Sequence, residues 1–152
     1  MDWSPASEMV EQSGSVFCVG RGPALAMSNE AALKFKETCQ IHAESYSSAE
    51  VLHGPVSIVG ARFPVLAFAA ADEAERALSG VADEIAAKGA NVFATSDSVK
   101  SAQTLPFVRT DHPLTDPISL IASFYVMVEE VSRKRGINPD KPRHLNKVTE
   151  TV

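Results

Sequence analysis

Three short apolar runs, SVFCVG (15–20), FPVLAFAA (63–70) and NVFATS (91–96), alternate with longer stretches of helical periodicity. Each run is strand-length and nearly continuous in apolar character, the pattern of strands buried on both faces. Strands of that kind separated by helices predict an α/β domain, a three-layer doubly wound parallel sheet flanked by helices. The first helix is read from about Ala24 to Cys39. A second covers 71–90, where Ala74, Leu78, Val81, Ile85 and Ala86 recur at helical spacing and Gly89 supplies the stop. LPFVRT (105–110) reads as a further strand. For the last helix, Asp116 is the expected cap, Pro117 fits the first turn and Gly136 ends it.

At 152 residues the chain is read as one domain, long enough to bury a core without a disulfide or metal staple. Its formal charge of −5, with basic residues scattered apart from Arg133, Lys134 and Arg135, argues against nucleic acid as a partner. The two cysteines, Cys18 and Cys39, have no neighbouring ligand cluster and read as buried free thiols of a reducing compartment. The N-terminal MDWSPASEM lacks the features of a signal peptide, and no apolar run approaches the roughly 20 residues of a membrane span. A soluble, cytoplasmic protein is expected, with no membrane, metal or cofactor. The body of the last helix is apolar on nearly every side from Ile118 to Val128, which favours burial against a second subunit over burial by one sheet layer.

The charged residues concentrate in NEAALKFKETCQIHAESYSSAEVLHGP (29–55). At about 100° per residue, Lys34 falls about 40° to one side of Glu30 and Glu37 about 20° to the other, making one longitudinal stripe. Met27, Ala31, Phe35 and Ala24 flank it on one side and Leu33 and Ala26 on the other, while Lys36 points to a different face. A half-buried carboxylate beside an ammonium can take and return a proton. The same spacing also suits an ordinary ion pair contributing roughly 0.2–0.5 kcal/mol. His53 stands in a His-Gly-Pro turn after a short helix-like AEVL stretch and can reach a neighbouring site; a structural histidine is the alternative. His42 and Glu44 lack a third ligand at a metal-site spacing.

Gly20-Arg21-Gly22 is a tight turn feeding a helix N-terminus, suited to an anionic group through Arg21 and Gly22 or to no ligand at all. Position 25 is Leu25 where a dinucleotide fingerprint requires glycine, so NAD is disfavoured. Ser45, Ser47 and Ser48 could add polar contacts. At the C-terminus, Asn138-Pro139-Asp140-Lys141-Pro142 is stiffened by two prolines before Arg143-His144-Leu145-Asn146-Lys147. Such a tail either frays or aims Lys147 back at a pocket.

Taken together, the A-L-K-x-K-E run ending at Glu37, the H-A-E-x-Y run from His42, E-x-x-H-G-P from Glu50 and the NPDKPRHLNK ending resemble one family. It is the C-terminal sugar isomerase (SIS) domain of glutamine–fructose-6-phosphate aminotransferase and of related amino-sugar phosphate deaminase/isomerases. The resemblance covers essentially the whole chain and implies a flavodoxin-like SIS fold over residues 1–152. It implies that Glu37 shuttles a proton between C1 and C2 of a sugar phosphate, assisted by Lys34. It further implies that His53 opens the sugar ring from the neighbouring subunit of a homodimer, and that Lys147 and Asn146 lie on a tail (137–152) closing over the sugar. Arg21, Gly22 and Ser47 are the further substrate-binding candidates. Members of the family carry two SIS repeats. This chain corresponds to the second, so a first repeat is an expected partner and this half alone is expected to be inactive. The implied activity is aldose–ketose isomerisation linked to amination or deamination of fructose-6-phosphate or glucosamine-6-phosphate. The alternatives are a non-catalytic sugar-phosphate-binding regulatory module and a purely structural dimerisation domain.

Overall fold

The computed structural model describes residues 1–145. The chain runs α1 (Ser4–Glu11), β1 (Ser15–Gly20), α2 (Ala24–Cys39), β2 (His42–Ser47), a 3₁₀ turn (Pro55–Ile58), β3 (Pro64–Phe68), α3 (Glu75–Ala87), β4 (Asn91–Ala94), β5 (Gln103–Thr104) and α4 (Asp116–Lys134). The five strands form one sheet in the order β2-β1-β3-β4-β5, every neighbour pair parallel. From β1 the chain moves outward to β2 and then returns to the other side of β1 as β3. The strand order therefore reverses between β1 and β3.

The apolar runs behave as their composition requires. Along β1, Val16 and Cys18 join the cluster packed under α1, α2 and α4, while Phe17 and Val19 join the one under α3. In β3, Leu66 and Phe68 face the first cluster, Val65 and Ala67 the second. Side chains alternate across the sheet, and both faces are dry, so every residue of these runs has to be small or apolar. Cys18 and Cys39 are free and buried, and burial pushes both thiols above their ordinary range.

Several boundaries differ from the sequence expectations. The stretch 105–110 is not a strand: β5 is only Gln103–Thr104, and after the Leu105 amide bonds the Ala94 carbonyl the chain leaves the ladder at Pro106, whose carbonyl accepts from Trp3 Nε1. The helix expected over 71–90 begins at Glu75, because the Asp72 carboxylate accepts the Ala74 amide and makes Ala71–Ala74 a turn. AEVL is likewise a series of turns, and helical geometry appears only after it, at Pro55–Ile58. Asp116 does not cap α4. Thr115 holds that position, and Asp116 is the first helical residue, wholly buried, with its carboxylate turned to other loops. Gly136 does end α4, at φ +70°. Its amide bonds Arg133 O and the Ile137 amide bonds Ser132 O, the paired bonds of a Schellman stop. The sheet side covers Leu120, Phe124, Met127, Val128 and Val131 of α4 and leaves Ile118 (66%) and Val126 (70%) exposed. No helix among the described residues is long and apolar enough to cross a membrane.

Candidate active site

Helix α2 buries Ala24, Met27, Ala31, Phe35 and Cys39, with Phe35 edge-on to Phe124 of α4 at 5.2 Å. That anchoring fixes the rotation of the helix and turns Glu30, Lys34 and Glu37 along its outer flank. Lys34 Nζ donates to Glu37 Oε2 at 2.6 Å and lies 3.6 Å from Glu30 Oε1; the three side chains are 29–31% exposed. The bond to Glu37 is the main cause that raises the Lys34 pKa; burial opposes it, and the charge of Glu30 adds to it. Tyr125 of α4 joins the stripe by donating to Glu30 Oε1 at 2.9 Å. A carboxylate hydrogen-bonded to an ammonium on a half-open surface can exchange protons with a substrate laid against it.

The remaining sequence candidates divide between the two ends of α2. The helix runs antiparallel to the strands it connects, and Glu37 lies 13 residues from its start, about 20 Å at the usual helical rise. Arg21 and Gly22 precede that start. Ser47 pairs with Gly20 in the sheet, so it shares their end, and the turn carrying exposed His53 follows it. Within one copy, then, Arg21, Gly22, Ser47 and His53 lie far from Glu37 and Lys34. The C-terminal segment, by contrast, leaves α4 beside the end of α2 where Glu37 stands. There Arg135 bonds the carbonyls of Cys39, Glu11 and Ser13, and a cavity of about 850 Å³ opens between Gln40, Asn138, Lys141 and Arg143. Asn146 and Lys147 lie outside the described residues.

The strand-end crevice is occupied by the protein's own groups. A Cβ on Gly20 would meet the Ala24 carbonyl oxygen at 2.5 Å, so glycine is what lets α2 start so close to β1. Gly22, at φ +57°, packs where the Asp72 carboxylate leaves no room for a side chain. Asp72 and Glu73 line the adjoining cleft of about 510 Å³ opposite Arg21, a mixed charge rather than an anion cradle. Deeper, Arg109 donates to Ala69 O, Thr95 O and Glu75 and stacks on Phe107 at 4.3 Å. The buried Asp116 accepts from the Ala71 and Thr110 amides and the Thr110 hydroxyl. Burial alone would raise its pKa, but those bonds and the Arg109 charge outweigh it, and the net shift is downward. Among the serines, Ser45 pairs with Ser28 at 2.8 Å and Ser47 accepts the Ala49 amide. Ser48 Oγ is buried with no hydrogen-bond partner among the described residues.

Sequence reasoning placed Glu30, Lys34 and Glu37 together but missed Tyr125. Its one signal was a phenol hydroxyl in a mostly apolar helical run that also carries Ser119 and Ser123.

Comparison with known proteins places this geometry in context. The SIS domain family model matches residues 9–130. The glutamine–fructose-6-phosphate aminotransferase of Aeropyrum pernix is 36% identical across 97% of this chain, and that of Pyrobaculum aerophilum 37% across 96%. The chain spans about a quarter of the length of these curated relatives. Among solved structures, a candidate phosphosugar isomerase from Silicibacter pomeroyi DSS-3 superposes with a TM-score of 0.86 at 62% identity, covering 92% of this chain and 43% of that one. The C-terminal domain of the glucosamine–fructose-6-phosphate aminotransferase from Francisella tularensis gives 0.82 at 25% identity, over 90% of this chain and 40% of that one.

Proposed function

The chain belongs to the SIS domain family, and from that premise we propose that it is the second half of a sugar-phosphate isomerase in which Glu37 is the base. The carboxylate takes a proton from one of the two carbons C1 and C2. The freed electron pair becomes the C1–C2 double bond while the carbonyl π pair withdraws onto its oxygen. A proton passes to that oxygen from the hydroxyl, or the amine of an amino sugar, on the other carbon. The carbonyl or imine re-forms there, and the proton held by Glu37 is delivered to the carbon that was the carbonyl. Lys34 holds Glu37 in place and offers a positive charge to the oxygen that becomes negative on the way. The observation that carries this reading is the 2.6 Å Lys34–Glu37 bond on an open helix flank, beside the origin of the C-terminal segment.

The separation along α2 supports a site shared between copies. His53 would open the sugar ring from the neighbouring subunit, and Arg21, Gly22 and Ser47 would approach the sugar with it. Asn146 and Lys147 would close from the chain's own tail. The substrate class is a hexose or amino-hexose 6-phosphate, with fructose-6-phosphate and glucosamine-6-phosphate the first to try. A regulatory module that binds sugar phosphate without turnover has no use for a base at the proton-transfer carbon.

In the full-length protein, Glu37→Gln is expected to reduce interconversion of these sugar phosphates by about 10²–10⁴-fold while their binding, followed by calorimetry, stays within a few-fold. Retained turnover would remove Glu37 as the base.

A further inference from the structure

Tyr125 reaches the stripe from a different helix, 95 residues away in sequence from the carboxylate it binds. Its hydroxyl donates to Glu30 Oε1, the oxygen that also faces Lys34 Nζ, and Lys34 donates to Glu37. The four groups form a line: hydroxyl, carboxylate, ammonium, carboxylate. We propose that Tyr125 is a positioning residue that acts through Glu30, keeping a second anion against Lys34 so that the ammonium is shared between two carboxylates. This deepens the isomerase reading and rests on it.

The reason lies in what the base must do. An ammonium committed to one carboxylate stabilises its ionised form and weakens it as a base, whereas a second negative charge nearby works the other way. When Glu37 has taken the substrate's proton, Lys34 needs another counter-ion, and Glu30 stands 3.6 Å away. Left alone on an open helix flank, Glu30 would gain rotamer freedom by turning to water. Tyrosine is suited to prevent this. It has few rotatable bonds, and its ring lies 6.1 Å from Phe124, which is locked in the core. The bond to Glu30 is also the main cause that raises the Tyr125 pKa, so the hydroxyl remains a donor at neutral pH.

The other charges nearby do not take this role. Lys36 is exposed on a different face of α2. On α4, Glu129 and Arg133 are exposed, and Glu130 pairs with Lys134; among the described residues none of them forms an ion pair with Lys34 or Glu37.

The test compares Tyr125→Phe, Glu30→Gln and the double variant in the full-length protein, with Glu37→Gln as reference, on glucosamine-6-phosphate and fructose-6-phosphate across pH. Tyr125→Phe is expected to lower kcat about 3- to 10-fold with KM within twofold, the scale of one lost hydrogen bond. Once the second anion is released, the Lys34 ammonium is committed to Glu37 alone, and the acid limb of the kcat profile should move to lower pH. Glu30→Gln should shift it in the same direction and further, and the double variant should match Glu30→Gln alone. A wild-type kcat and acid limb in Tyr125→Phe would overturn the proposal, as would additive effects in the double variant. Unchanged urea midpoints separate these effects from unfolding. If Glu37→Gln itself turns over substrate, the isomerase reading fails. If Glu37→Gln is inactive and Tyr125→Phe behaves as wild type, only the role of Tyr125 fails.

Discussion

The two ends of α2 are built on opposite principles. At its start, the polar groups around the strand-end crevice are spent on one another: Arg109 on two carbonyls and Glu75, Asp116 on two amides and a hydroxyl, Asp72 on the Ala71–Ala74 turn. Toward its other end, Lys34, Glu30 and Glu37 are half exposed, with lone pairs and protons still free to meet a ligand. Doubly wound sheets ordinarily take ligands in the crevice where strand order reverses. Here that crevice is a brace, and the groups with unused capacity stand about 9 Å (Glu30) to about 20 Å (Glu37) away along the helix. On the proposed reading, the stabilising network sits at the start of α2 and the proton-transfer group toward its end.

This division can be broken first at Asp116. Replacing it by alanine leaves the Ala71 and Thr110 donors without their acceptor and removes one of the two carboxylates beside Arg109, and should cost about 2–4 kcal/mol in urea unfolding. A loss below about 1 kcal/mol would mean the brace carries little. The pH dependence sharpens the same point. Because its folded pKa is lowered, the carboxylate's contribution is present above the unfolded value of about 3.9 and is lost as pH falls through the folded value. Acid unfolding of the wild type should therefore be steeper below about pH 4 than that of Asp116→Asn. Gly20→Ala comes next. The added methyl must displace the first turn of α2, at about 1–3 kcal/mol, measurable in the same assay.

The smallest effect on stability belongs to the stripe. The raised pKa of Lys34 means its pairing contributes at pH below about 10.4 and is lost as pH rises through the folded value. At about 29% exposure that contribution is screened, and Lys34→Met should change stability by less than about 1 kcal/mol at neutral pH. A larger loss would place Lys34 among the structural groups and erase the contrast with Asp116.

How far the sequence could be read followed burial. β1, β3 and β4 were evident because sheet strands covered on both faces tolerate only apolar residues. β2, HAESYS, escaped because it is an edge strand whose side chains are mostly half exposed and polar, so composition marks it as a surface. α1 escaped as well. It is short, and what fixes it is tertiary: Trp3 stacks on Phe68 and donates to the Pro106 carbonyl, over a hundred residues away. At the site, Glu30, Lys34 and Glu37 were legible because one helix face orders them by local geometry alone. The partnership of Glu30 with Tyr125 depends on how α4 crosses α2, and Asp116 looked like a cap because its partners, distant Ala71 and the nearby loop residue Thr110, had no helix-start signature.

The most direct measurement is solvent-deuterium incorporation at C1 and C2 of fructose-6-phosphate and glucosamine-6-phosphate, followed by NMR in D₂O with the full-length protein. A base on the α2 stripe predicts that Glu37→Gln abolishes incorporation, while Asp72→Asn, at the opposite end of the helix, retains it. Incorporation that survives Glu37→Gln and disappears in Asp72→Asn would contradict the division of labour along α2 and return the chemistry to the crevice.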